Sequence, residues 1–164
     1  MTLNDIHLLY EYNYWAKERM LGAVDSLSEK LLYNDLKTSF GTLHGTIVHI
    51  CAAEDVWLQR LTGTRSPNFL KVADLPDYNA VKAKWQEVEK GMLTYVHSLT
   101  EEQLLQTFTF LNVKGEPVSN VLWHALQHLV NHGTYHRGQI TSMIRQLGGT
   151  PVNTDLIGFY RQKK

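Results

Sequence analysis

The amino-acid sequence predicts an all-α fold: a four-helix bundle with a small β-hairpin before the last helix. Three observations carry this prediction: apolar residues recur at helical spacing over several long stretches, all four prolines lie outside those stretches, and one short segment changes to β-branched and aromatic residues. A chain of 164 residues is the size of one ordinary domain. We therefore predict a single helical domain over residues 1–164.

The first two predicted helices differ in how much of their circumference is apolar. The first covers residues 4–24, begins at Asn4 or Asp5 as its N-cap, and carries an apolar arc of about 120°. A short helical piece follows over 26–33. The second long helix covers 40–61 and is apolar on both sides. It is therefore either central in the bundle or covered on one side by a partner subunit.

The third predicted helix begins after a charged, Pro-containing loop over residues 64–76. Asp77 is its predicted N-cap, and its apolar residues continue at helical spacing to about Leu99. A Thr-Glu-Glu-Gln segment over 100–103 has the pattern of a capping box, which predicts one further helical turn.

The period then changes from helical to extended. Residues 107–118 predict a small hairpin, because a β-branched and aromatic run is followed by a Lys-Gly-Glu-Pro turn. Ser119 or Asn120 is the predicted cap of the last helix, which continues to Leu147 before a Gly-Gly stop. The tail from Thr150 contains further apolar residues, and we expect it to pack back onto the bundle.

Composition and charge exclude several classes of function. Sixteen Lys and Arg balance sixteen Asp and Glu, which argues against a nucleic-acid or anionic-membrane binder. No apolar run approaches the ~18 residues of a membrane span, and the N-terminal segment lacks the pattern of a secretory signal. Cys51 is the single cysteine, so no internal disulfide forms and a cytoplasmic location is expected. We expect Cys51 itself to be a small core residue.

Eight histidines are the compositional peculiarity of the chain, and four of them follow one another at four-residue spacing on the last helix. Residues at i and i+4 lie about 6 Å apart on one face, so two imidazoles can share one metal ion. Four cannot, because the row spans roughly 18 Å along the axis. His132 and His136 fall inside the apolar arc, His128 lies at its edge, and His124 lies well outside it. Both metal ligation and hydrogen bonding in the core stay open for the inward pair.

A metal site needs at least a third ligand from another element. The second helix offers His44 and His49, which project about 140° apart on the helix, so both cannot reach one metal ion. Since that helix is apolar on both sides, spacing does not choose between them. His7 and His97, on other helices, are weaker candidates.

Four polar residues are candidates for contacts around such a site or for a pocket beside it. Glu54 should be a shielded carboxylate with a partner, and Asn13 falls within the apolar arc of the first helix. Gln139 faces inward one turn from His136, and His128 lies at the rim. For Asn13 and Glu54 a buried structural hydrogen bond is the competing interpretation.

Three segments resemble the DinB/YfiT family of proposed metalloenzymes: Asn13-Tyr14-Trp15-Ala16, Thr46-Ile47-Val48-His49 followed by Glu54 and Trp57, and Asn131-His132-Gly133-Thr134-Tyr135-His136-Arg137-Gly138-Gln139. The resemblance covers nearly the whole chain. It implies a DinB-like bundle with up-down-down-up topology, commonly as a homodimer. It also implies a divalent metal, zinc or nickel, held by His49, His132 and His136; the choice of His49 over His44 depends on the resemblance alone.

Three neutral imidazoles would leave a metal ion with an open coordination position, which is the pattern of catalytic rather than structural sites. Such an ion can lower the pKa of a bound water to about 7 or hold a thiol as thiolate. The chain has no convincing nucleophile of its own, and related members of the family are transferases and isomerases that use bacillithiol or mycothiol. The resemblance therefore implies a metal-dependent thiol S-transferase, with a bacillithiol-like low-molecular-weight thiol as cosubstrate and an electrophile as acceptor, in stress response or detoxification.

Two other functions stay open at the level of sequence. One is a metal-dependent hydrolase that uses metal-bound hydroxide, with Glu54 as the shielded carboxylate available for general acid or base catalysis. The other is a non-enzymatic, stress-induced metal-binding protein. The identity of the metal, the thiol and the acceptor does not follow from the residues.

Overall fold

The computed structural model describes residues 1–64, 69–112 and 114–163. Four long helices form the bundle, with two short helices and one hairpin attached to it. The helices are α1 (Leu3–Asp25), α2 (Leu43–Thr62), α3 (Tyr78–His97), α4 (Glu101–Leu104), α5 (Leu122–Gln146) and α6 (Leu156–Gln162), and the strands are β1 (Thr107–Leu111) and β2 (Pro117–Val121). Short 3₁₀ turns occur at Glu29–Tyr33 and Val72–Asp74. Residues 65–68 of the predicted loop and Val113 of the predicted hairpin lie outside the described residues.

The four long helices run up-down-down-up, as predicted. Helices α2 and α3 are parallel. Asp55 of α2 pairs with Lys84 of α3, and Leu58, which follows Asp55 on α2, lies against Gly91, which follows Lys84 on α3. A long crossover over 63–77 makes this parallel arrangement possible. Helices α2 and α5 are antiparallel, because Thr46 contacts Met143 near one end and Trp57 contacts His128 near the other. Helices α1 and α3 are antiparallel for the same reason, with contacts of Leu21 with Tyr78 and of His7 with Val96.

The start of α1 differs from the prediction by a small displacement of its cap. Thr2, rather than Asn4 or Asp5, is the N-cap. The Thr2 hydroxyl accepts from the Asp5 amide at 3.1 Å, and the Asp5 carboxylate accepts from the Thr2 amide at 2.8 Å. Asp5 is thus the N3 partner of a capping box, which is why it resembled a cap in the sequence.

Helix α2 begins three residues later than predicted. Thr42 is its N-cap and accepts from the Gly45 amide at 2.9 Å, which leaves Phe40 in the preceding loop. The helix ends at Gly63, whose φ of 71° is left-handed and favours glycine. The predicted stop is therefore confirmed. Asp77 caps α3 as predicted, and the Thr100–Gln103 capping box opens α4.

The predicted start of α5 at Ser119 or Asn120 is wrong. Both residues pair within β2, where Ser119 faces Thr109 and Asn120 faces Phe108 across the hairpin. The chain passes from the strand into α5 with no side-chain cap, and the Leu122 amide instead donates to the Gln106 carbonyl at 2.9 Å. The backbone of Ser119 and Asn120 therefore pairs with β1 instead of beginning the helix.

The core consists of two apolar clusters separated by a polar layer. One cluster surrounds Ile47 and Ile140, and the other surrounds Tyr10 and Leu126. The polar layer comprises Asn13, Lys17, Glu54 and Arg137, which are each at least nine-tenths buried. Helix α2 packs between α3 and α5, so its second apolar side, including the buried Val48, is at least partly covered by the bundle itself. The tail returns as predicted, and α6 docks Phe159 against Tyr12 and Trp15.

Within the three described ranges, none of the helices is both long and apolar enough to cross a membrane.

Candidate metal centre

Three histidines from two helices converge in the groove between α2 and α5. His49 comes from α2, and His132 and His136 come from successive turns of α5. The Nε2 atoms lie 3.1 Å apart for His49 and His132, 3.2 Å for His49 and His136, and 3.1 Å for His132 and His136. His136 is 6% exposed and the other two are half-buried. We call this arrangement the histidine triangle.

Aromatic packing fixes the orientation of these rings. Phe40 stacks on the His49 ring with centroids 3.9 Å apart and an interplanar angle of 18°. The same phenyl ring meets the His136 ring edge-on at 5.6 Å, and Tyr135 meets it from the next position at 5.0 Å. The loop before α2 therefore holds two of the three imidazoles in place.

Hydrogen bonds alone cannot satisfy the histidine triangle. Each neutral imidazole nitrogen is either a donor or an acceptor. With three Nε2 atoms and two roles, at least two of the atoms share a role, so at least one of the three short contacts is not a hydrogen bond. A cation bonded to all three lone pairs removes this conflict.

The distances fit one divalent cation. Zinc bound to imidazole at about 2.0–2.1 Å in tetrahedral geometry holds its ligand nitrogens roughly 3.3 Å apart. The observed separations of 3.1 to 3.2 Å are close to that value. The described residues place no Cys, Asp or Glu in this cluster, so three protein ligands would leave one coordination position open.

The protonation states also suit metal ligation. Burial, together with the neighbouring imidazoles, lowers the pKa of His132 to about 4, and burial lowers the pKa of His49. Both rings are therefore neutral near pH 7. Gln139 Oε1 lies 2.7 Å from His136 Nδ1; since an amide oxygen accepts, the proton resides on Nδ1 and the Nε2 lone pair points into the triangle.

Glu54 does not belong to the histidine triangle. It is 2% exposed, and its carboxylate accepts from Asn13 Nδ2 at 3.0 Å, from the Tyr14 hydroxyl at 3.2 Å and from Trp85 Nε1 at 2.9 Å. Burial raises the pKa of the Glu54 carboxyl, while these donors lower it. The expectation of a shielded carboxylate with a partner is confirmed, and its three partners lie in the core rather than around the triangle.

Asn13 links Glu54 to Arg137. Its Oδ1 accepts from Arg137 Nη1 at 2.8 Å, while Arg137 Nη2 donates to the Thr134 hydroxyl at 2.8 Å. The guanidinium crosses the helix over Gly133, where an added Cβ would lie 2.9 Å from Arg137 Nη1 and 3.2 Å from Asn13 Oδ1. Gly133 therefore leaves the space through which Arg137 reaches Asn13.

The remaining predicted residues lie away from the triangle. His44 is buried against Tyr33, with ring centroids 5.0 Å apart. His128 is exposed and packs on Trp57 at 5.6 Å, with its ring centroid 6.2 Å from that of His132. Cys51 is fully buried, and burial raises its pKa to about 12, which agrees with a core role.

Sequence reasoning did not identify Phe40 or the aromatic cluster beside His128. Phe110 of β1 meets the Trp57 ring at 5.2 Å, and the Arg60 guanidinium lies over both rings. Helical spacing carries no signal for these contacts, because Phe40 precedes α2 and Phe110 comes from the hairpin.

The comparisons with known proteins agree with this fold. A model of the DinB family matches residues 1–163. The chain is 28% identical over 152 residues to Protein DinB of Bacillus subtilis (strain 168), covering 90% of this chain and 88% of that protein. It is 24% identical over 159 residues to the uncharacterized protein YizA of the same organism, covering 91% and 92%. A crystal structure of a DinB-like protein from Bacillus cereus ATCC 10987 matches with a TM-score of 0.65 at 22% identity, over 85% of this chain and 91% of that chain, which shows the shared fold.

Proposed function

The chain belongs to the DinB family, and from this premise we propose that it is a divalent-metal-dependent thiol S-transferase. His49, His132 and His136 are the ligands, and zinc or nickel is the cation. The cosubstrate is a low-molecular-weight thiol of the bacillithiol kind, and the acceptor is an electrophile removed in stress or detoxification. The histidine triangle is the observation that carries this proposal.

The protein's own residues have defined roles in this function. The three imidazoles present their Nε2 atoms to one point, Gln139 keeps the His136 proton on Nδ1, and Phe40 holds the His49 ring. A divalent cation held there supplies Lewis acidity, which stabilises the thiolate form of a bound thiol near neutral pH. Because Cys51 is buried with a raised pKa, the attacking sulfur comes from the cosubstrate rather than from the chain.

The environment of Glu54 does not support the hydrolase alternative. A hydrolase needs a general acid or base within hydrogen-bond reach of the reacting water. Both Glu54 oxygens already accept hydrogen bonds, from Asn13, Tyr14 and Trp85, and the carboxylate is not among the groups that surround the triangle.

Metal analysis of tag-free protein tests the site. We expect about one zinc or nickel per chain by mass spectrometry, lost in His49→Ala and in His132→Ala. His124→Ala is the matched control, because His124 is exposed on the same helix and packs on Trp123. Metal retained in both triangle variants would overturn the assignment.

Activity separates the transferase from a metal-binding protein without catalysis. The metal-loaded protein should accelerate the consumption of 1-chloro-2,4-dinitrobenzene only when bacillithiol is present, and the His136→Ala variant should not. Activity that persists after metal removal would contradict the proposal. Stoichiometric metal without any thiol-dependent turnover would favour the non-enzymatic metal-binding protein.

The family resemblance also supports a homodimer and a cytoplasmic location. Light scattering of the purified protein is expected to give twice the chain mass of 18.8 kDa. A monomer at micromolar concentration would remove the dimer from the proposal and leave the metal site unaffected.

A further inference from the structure

Arg60 is a half-buried cation held between two aromatic rings. Its guanidinium carbon lies 4.9 Å from the centroid of the Trp57 ring and 4.6 Å from that of the Phe110 ring. No described residue forms an ion pair or hydrogen bond with it. Burial lowers the pKa of the Arg60 guanidinium, and no neighbouring carboxylate opposes that shift. The stacking therefore fixes the position of the guanidinium but leaves its N–H donors without an acceptor among these residues.

Other cations that stack on aromatic rings in the described residues have a polar partner. These pairs are Lys17 with Glu89, Arg19 with the Asn153 carbonyl, Lys82 with Asp25, Arg137 with Asn13, and Lys163 with Glu11. Arg60 is the exception to this pattern. A guanidinium that is partly desolvated, fixed in position and without an acceptor among the described residues is suited to bind a carboxylate in bidentate geometry.

A continuous strip of rings joins Arg60 to the histidine triangle. The His132 and His128 centroids are 6.2 Å apart, the His128 and Trp57 centroids are 5.6 Å apart, and Arg60 stacks on Trp57. His128 is exposed, so the strip is open to solvent on that side. Eight residues of helix separate His49 from Trp57, which is about 12 Å along the axis.

We propose that Arg60 binds a carboxylate of an acidic thiol of about tripeptide length, whose sulfur reaches the histidine triangle while its body lies along His128 and Trp57. This inference rests on the proposed function, because that function brings the sulfur to the triangle. An extended tripeptide spans about 10 Å, which is close to the roughly 12 Å of helix between His49 and Trp57, the ring on which Arg60 stacks. Arg60 is thus a specificity-determining residue that distinguishes acidic from neutral thiols.

Binding of thiols to the cobalt-loaded protein tests the proposal. The probes are glutathione, its diethyl ester and 2-mercaptoethanol. Their binding is measured by the cobalt–thiolate absorption band and by calorimetry. In Arg60→Gln we expect the dissociation constant of glutathione to rise about tenfold, with that of 2-mercaptoethanol unchanged. In the wild type the diethyl ester should bind about as weakly as glutathione binds to the variant. Arg60→Lys, which keeps the charge but loses the bidentate geometry, should lie between.

Arg19→Gln is the matched control, because Arg19 also stacks on a tryptophan, Trp15, but lies on α1 away from the strip. It should bind every probe as the wild type does. Equal affinity of Arg60→Gln and the wild type for glutathione, with cobalt content and helicity unchanged, would overturn the role of Arg60.

A second probe separates this inference from the proposed function. S-methylglutathione keeps both carboxylates but has no thiol. Its binding along the strip is detected by a shift of the indole NMR signal of Trp57. If no thiol gives a cobalt–thiolate band, but S-methylglutathione shifts the Trp57 signal in the wild type and not in Arg60→Gln, the proposed function is refuted and the role of Arg60 stands. No shift in the wild type would overturn the assignment of Arg60.

Discussion

The polar layer and the histidine triangle are two groups of polar side chains in one bundle, and they are satisfied in opposite ways. In the polar layer the Glu54 carboxylate receives three donors, and Asn13 joins it to Arg137. In the histidine triangle three like nitrogens face one another at 3.1 to 3.2 Å, and no assignment of protons makes all three contacts hydrogen bonds.

This difference distinguishes structural polarity from functional polarity. A buried carboxylate whose acceptors are filled by the protein stabilises one arrangement of the helices and has little capacity left for a ligand. A set of converging lone pairs is stabilised by something that the chain itself does not supply. The two groups should therefore respond differently to substitution, to pH and to metal.

Removal of Glu54 should cause the largest loss of stability. In Glu54→Ala the buried Arg137 loses its counter-charge, and the Tyr14 and Trp85 donors lose their acceptor, so we expect the free energy of unfolding to fall by about 3–5 kcal/mol. His132→Leu in the metal-free protein should change it by less than about 1 kcal/mol, because it removes a buried Nδ1 that has no partner among the described residues. Urea unfolding of both chelator-treated variants measures the two changes in free energy of unfolding. Equal losses in the two variants would contradict the distinction between the polar layer and the triangle.

Gln139 should affect metal affinity rather than folding. Gln139→Leu removes the acceptor on His136 Nδ1, so we expect zinc affinity to fall about 10- to 100-fold, or about 1.4–2.7 kcal/mol. Competition with a chromogenic chelator measures it. Gln127→Leu, an exposed glutamine on the same helix, should leave the affinity unchanged. An equal decrease in both variants would assign the effect to α5 as a whole.

Acid should destabilise the metal-free protein through the triangle. His132, with a pKa of about 4, and His49, with a lowered pKa, bind protons more weakly in the folded protein than in the unfolded chain. The contribution of these two histidines to the free energy of unfolding is therefore fully present above a pH of about 6.5. It falls as the pH is lowered toward 4, by less than about 1.4 kcal/mol per pH unit for each histidine. Urea unfolding between pH 7 and 5 should show a shallower slope in His132→Leu. An unchanged slope would exclude His132 as a source of this pH dependence.

Two glycines of α5 give the smallest contrast, with opposite signs. Gly133→Ala places a Cβ against Arg137 and Asn13, and we expect a loss of about 1 kcal/mol after the gain in helix propensity is included. Gly138→Ala meets no atom within 4 Å and should stabilise the protein by roughly 0.5–1 kcal/mol. Thermal unfolding of the two variants measures the difference. A gain in Gly133→Ala would show that Arg137 can move away without cost.

The sequence by itself determined the features that depend on short separations along the chain. Helical spacing predicted the four long helices, the Gly63 stop and the inward-facing pair His132 and His136, because residues three or four apart share a face whatever the helix packs against. Strand-forming residues predicted the hairpin, although the start of α5 was misplaced because cap residues and strand residues overlap at Ser119 and Asn120.

Only the tertiary structure decided which remote groups meet. His44 and His49 were equivalent by spacing, and the rotation of α2 between α3 and α5 turns His49 toward His132 and His136. The same packing turns Glu54 toward Asn13, brings Phe40 onto His49 and places Phe110 over Arg60. These contacts depend on the direction and rotation of separate elements, which apolar packing of whole helices sets and which local sequence periodicity does not contain.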